Sequence, residues 1–97
     1  MNFDERVNDS IREMINLGYT PKAFITMVIK DGAINAVKTV ISKNNATDGF
    51  TKLWKLKRLD LSMENIILEN EWLDLFSDKE RQIAKKRLME YGYDIKK

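Results

Sequence analysis

No stretch of this chain reads as a β-strand. Its apolar residues recur three and four positions apart, in runs kept short by Gly18, Gly32, Gly49, Gly92 and the single Pro21. A period near 3.6 gives one apolar stripe along a helix, and glycine just past a helix end supplies the left-handed conformation that stops it. This punctuation specifies an all-α fold, a compact single domain of about five or six short helices over residues 1–97. A chain of 97 residues has one modest core and no room for a separate substrate domain.

The first stripe is Phe3, Val7, Ile11, Met14 and Ile15, ended by Gly18 with Tyr19 folding back on the last turn. Thr20 is the expected N-cap of the next helix, with Pro21 at its first position, where the missing N–H is harmless. That helix, Pro21 to Lys30, is apolar almost all round, which predicts the most buried element of the fold. Asp31-Gly32 breaks it, and Ile34, Val37, Val40 and Ile41 face inward from a third helix. After the loop "SKNNATDG", Thr47 or Asp48 caps a short helix with Phe50, Leu53, Trp54 and Leu56 inward. A core position for Trp54 predicts that Trp54→Ala costs about 3–5 kcal/mol. Ser62 caps a helix burying Ile66, Ile67 and Leu68, with Glu64 placed to favour its dipole. "NEWLDLF" is an apolar connector, and Ser77 with Glu80 forms a capping box opening the last helix. Ile83, Ala84, Leu88 and Tyr91 point inward from it, and Gly92-Tyr93 repeats the Gly18-Tyr19 ending.

The chain has no cysteine and no histidine, which removes disulfides, thiolate catalysis, sulfur-ligated zinc and the commonest general base. Glycine-rich phosphate loops and calcium-loop spacing are absent too. The expectation is a non-enzyme with no metal and no cofactor. The opening "MNFDERVNDS" has no apolar h-region, and no apolar run approaches membrane-spanning length, so a cytoplasmic protein is expected.

Charge is unevenly placed. Residues 30–58 carry seven basic and two acidic groups, net +5, and residues 60–80 one basic and seven acidic, net −6. Three sites follow. In the basic segment, Lys52, Lys55, Lys57 and Arg58, with Lys85 and Lys86 further on, form a candidate DNA or RNA surface. A structural corner competes for the same segment, with Trp54 inward and Arg58 paired to Asp60. In the acidic segment, Glu69, Glu71 and Asp74 with the aromatics Trp72, Phe76, Tyr91 and Tyr93 form a candidate protein-docking surface. Residues 21–43 also fit a helix-turn-helix weakly, with Asn35, Lys38, Thr39, Ser42 and Lys43 on the reading face, though Lys38 stands where such a helix buries an apolar residue.

Gly18-Tyr19-x-Pro21-x-x-Phe24, Asp48-Gly49-Phe50-x-x-Leu53-Trp54 and Arg58-Leu59-Asp60-Leu61-Ser62-x-Glu64 carry a resemblance, continued by Trp72, Leu75-Phe76, Glu80, Ala84, Arg87-Leu88 and Tyr91-Gly92-Tyr93. With them the chain resembles a family of short uncharacterised bacterial and phage-borne proteins, sometimes encoded near restriction-type genes. The likeness spans roughly residues 17–93. Two residues depart from it: Lys57 replaces a small residue and Lys55 an acidic one. The resemblance implies no catalytic residues. It implies a protein-binding module, an inhibitor or accessory factor of a bacterial nuclease or phage-defence system of anti-restriction or anti-CRISPR type, whose partner is a nuclease or nuclease complex. The alternative is a small DNA- or RNA-binding protein using residues 52–58.

Overall fold

The computed structural model describes residues 1–95, and among them there is no strand. Six α-helices run in order: α1 Phe3–Asn16, α2 Lys22–Asp31, α3 Ala33–Ile41, α4 Asp48–Lys55, α5 Met63–Ile66 and α6 Asp78–Glu90. Two 3-10 turns, Leu59–Leu61 and Asn70–Leu75, join α4 to α5 and α5 to α6. The chain is one all-α domain.

Four of the six helix starts have a side-chain cap. Asn2 and Glu5 form a capping box at α1, with the Glu5 N–H donating to Asn2 Oδ1 at 2.8 Å and the Asn2 N–H donating to Glu5 Oε1 at 2.9 Å. Thr47 accepts the Phe50 N–H at α4, Ser62 the Asn65 N–H at α5, and Ser77 with Glu80 forms the expected box at α6. At α2 the expectation fails: the helix starts at Lys22 and Thr20 gives no side-chain cap. Three helices end in the same two-bond Schellman motif. In α1 the Tyr19 N–H reaches the Met14 carbonyl at 3.0 Å, in α4 the Arg58 N–H reaches Leu53 at 2.9 Å, and in α6 the Tyr93 N–H reaches Leu88 at 2.9 Å. The left-handed residue is Gly18 in the first and Gly92 in the last, but Lys57 in α4. Gly49 is not a break; it lies in the first turn of α4.

The core centres on α3 and α5. Val37, Ile41, Ile66 and Ile67 are fully buried, joined by Val7 of α1 and by Ala84 and Leu88 of α6. The central place predicted for the second helix belongs to α3. No residue of α2 is buried, and Ile29 is 81% exposed. Phe24, Ile25 and Val28 rest half-buried against the core, Met27 is half-buried, and Ala23 and Ile29 are exposed. Lys22, Thr26 and Lys30, four apart, mark its outward side, and only the neighbours decide how much of the rest is covered. Ile15, expected inward, is also exposed.

Polar side chains tie the elements together. Ser10 is wholly buried and donates through Oγ to the Leu61 carbonyl at 2.6 Å. Lys38 Nζ lies 3.0 Å from Glu80 Oε1 and 5.1 Å from the centre of the Phe76 ring. Partial burial pushes the Glu80 carboxyl up, but the Ser77 N–H and the Lys38 ammonium together hold it below the usual carboxylate range. A depressed folded-state carboxyl contributes stability above its unfolded value and loses it as pH falls through the folded one. Glu80→Gln is therefore expected to cost up to about 1 kcal/mol at neutral pH. That difference should vanish in acid, as thermal melts across pH will read.

Candidate functional site

The predicted protein-docking surface comes apart. Trp72 and Phe76 are buried, at 7% and 4% exposure, and cannot anchor a partner. Both pack on Phe3, with ring centroids 5.5 and 5.3 Å away, because the 3-10 turn carries them over the start of α1. Glu69 is engaged: Arg6 Nε and Nη2 donate to its carboxylate at 3.0 and 2.9 Å, and Trp72 Nε1 donates at 2.9 Å. Tyr91 and Tyr93 are half-buried against the core, which leaves Glu71 and Asp74 as the exposed members of the set.

The predicted corner forms, but nearer the surface than expected. Arg58 donates to Asp60 from Nε at 3.0 Å and Nη2 at 3.2 Å, with side chains 35% and 46% exposed. Trp54 is not core. It is 45% exposed, held perpendicular to Tyr91 at 5.4 Å, and Tyr91 is in turn perpendicular to the buried Phe50 at 4.9 Å. Phe50 and Leu53 fill the inward stripe of an eight-residue helix, and Trp54 falls on its margin. Trp54→Ala is now expected to cost about 1 kcal/mol or less, and Lys55→Ala less than about 0.5 kcal/mol, in thermal melts. Lys52, Lys55 and Lys57 are exposed on this side. Lys85 and Lys86 flank a separate shallow depression on α6 with Gln82, Met89 and Glu90.

The helix-turn-helix reading is not supported. Asn35, Thr39 and Ser42 donate to backbone carbonyls of Asp31, Asn35 and Thr39, and Lys38 is held by Glu80. The would-be reading helix is the central core helix.

Sequence reasoning missed a groove. It measures about 550 Å³ and opens between the first half of α2 and the start of α4. Pro21, Phe24 and Met27 line one side, and Gly49 with Phe50 the other. A β-carbon on Gly49 would come within 3.0 Å of the Tyr19 hydroxyl, so glycine there lets Tyr19 close this end. Burial, with Asp48 nearby, pushes the Tyr19 phenol up. Lys22, Lys43 and Asp48 give the lining its exposed charges.

Glu64, also in the lining, is 1% exposed. Arg87, 6% exposed, donates to it from Nη1 at 2.8 Å and to the Lys43 carbonyl from Nη2 at 2.6 Å. One guanidinium thus joins α6, α5 and the end of α3. Residue spacing offers no sign of this pair, because its members lie 23 positions apart on different helices. Among the described residues, no three acidic side chains meet as a metal site, and no helix is long and apolar enough to cross a membrane. No family model, curated protein or solved structure matches this chain.

Proposed function

We propose that this protein is a protein-binding module whose docking surface is α2 together with the groove beside it. One observation carries the reading: α2, six of whose ten residues are apolar, has no buried residue. An apolar helix face left without a neighbour is the usual mark of a recognition surface, since water contact there is unfavourable by about 25 cal/mol for each Å². The occupant that fits is an amphipathic helix of a partner protein, with an apolar stripe set on Ala23 and Met27, which lie four apart on α2 and line the groove. Its flanks are acidic, because residues 21–45 carry four lysines and one aspartate, and Lys22 and Lys43 line the groove. Segments that carry the resemblance, around Tyr19–Phe24, Asp48–Leu53 and Ser62–Glu64, meet at this groove. A nuclease as the partner rests on that resemblance alone.

The test uses two labelled amphipathic helices with one apolar stripe, flanked by glutamates in one and lysines in the other. Anisotropy titrations should show the acidic helix binding at least tenfold more tightly. Ala23→Glu, at an exposed position lining the groove, should abolish that binding without lowering the melting point. If neither helix binds the folded chain, the proposal fails. It also fails if sedimentation shows two copies of this chain occluding α2.

A further inference from the structure

The side of the molecule around α4 holds a residue that local backbone physics disfavours. Lys57 has φ +60°, the one positive φ outside glycine among the described residues. It occupies the position that Gly18 and Gly92 occupy in the other two Schellman endings. There a β-carbon crowds the following carbonyl, and glycine avoids that crowding. A strained residue whose side chain makes no ion pair within the described residues invites a role outside the fold.

What stands beside Lys57 defines that role. Three residues earlier, Trp54 is nearly half exposed, and its ring is braced on Tyr91 and through it on Phe50. A perpendicular contact occupies at most one face of the indole, so a flat group can stack on the other. Bracing by core aromatics means that little side-chain freedom is lost when it does. Lys52 and Lys55 are also exposed, and neither is in an ion pair among the described residues. Arg58 is outside the set, because Asp60 holds it. The arrangement is an exposed, braced indole with exposed lysines two residues before it and one and three residues after it, within the segment of net charge +5.

We infer that Trp54, Lys52, Lys55 and Lys57 form a binding platform for single-stranded nucleic acid, with a base stacked on the indole and neighbouring phosphates on the lysines. A duplex keeps its bases stacked on one another and offers none to the ring, whereas a single strand does. Lysines without bidentate partners neutralise phosphates without reading sequence, so binding should tolerate any base. This site is separate from α2, and its test is independent of the docking proposal.

The probes are a labelled oligo-dT, an oligo-U, a duplex of equal length and heparin, which offers anionic charge without bases. Both single strands should bind at low salt and quench the fluorescence of Trp54, with the buried Trp72 unaffected. Neutralisation by three lysines predicts a log–log salt slope of about −2. Trp54→Ala should weaken binding by about 5- to 150-fold and remove the quenching. Lys57→Gly should raise the melting temperature by a few degrees while weakening binding several-fold. No single strand binding at low salt overturns the inference. So does heparin or duplex binding as tightly as the strands with Trp54→Ala unchanged, which would reduce the patch to plain charge. A melting temperature that falls in Lys57→Gly also overturns it, since the strained lysine would then be serving the fold.

Discussion

Replacing Arg87 by methionine is expected to lower stability by about 3–5 kcal/mol, because it leaves the Glu64 carboxylate charged, buried and unpaired. For a domain of this size that is a fall in melting temperature of more than about 12 °C. Two charges at 2.8 Å in the interior do not make a strong net contribution to folding, since both must first leave water. The pair is nevertheless costly to break from one side. Burial lifts the Glu64 carboxyl above its usual range, and Arg87 draws it only part of the way back. Without Arg87 only a backbone N–H opposes that rise. A carboxyl raised in the folded state favours folding below its unfolded value and loses that contribution as pH climbs through the folded one. The deficit of Arg87→Met should therefore be greatest at neutral pH and shrink as the solution is acidified. The double variant Glu64→Gln with Arg87→Met should recover most of the loss, because the remaining amide carries no charge. Denaturant melts of the four chains at two pH values decide it. A single variant within about 1 kcal/mol of the parent would show that Glu64 reaches water by another route.

Trp72→Ala is expected to cost about 3–5 kcal/mol as well, by a different mechanism. The indole fills the space between Phe3 and the 3-10 turn, and its N–H satisfies one oxygen of the carboxylate that also holds Arg6. Truncation opens a cavity and loosens the Arg6–Glu69 bridge, which fastens α1 to the second half of the chain. The expected cost is several times that of Trp54→Ala. Urea melts of both variants test this, with an unchanged slope required for the comparison. Near-equal losses would mean that the two rings share one environment, against their 7% and 45% exposures.

The two tryptophans also show where sequence reading ends. Trp54 follows Leu53 at core spacing and Trp72 sits in a short connector, so pattern alone placed the first inside and the second at the surface. The structure exchanges them. On an eight-residue helix a residue at the stripe's margin is covered only if another element reaches it, and there Tyr91 alone does. In a 3-10 turn there is no helical stripe to read, and Phe3, far away in sequence, supplies the neighbour. The Glu64–Arg87 pair and the groove were invisible for the same reason: each is made by residues from different helices.

Most of the punctuation was legible: Thr47, Ser62 and Ser77 cap helices, and Gly18 and Gly92 end them, through bonds that span at most five residues. The start of α2 and the Lys57 ending of α4 were not legible. Interactions of that reach are set by the order of residues, and so the sequence by itself determined an all-α chain and where its main helices begin and stop. Which helix lies at the centre was decided by tertiary packing: α2 and α3 carry six apolar residues each, yet α3 took the interior. Hydrophobicity says how much a helix gains from burial, and only the positions of the other helices say whether there is room for it.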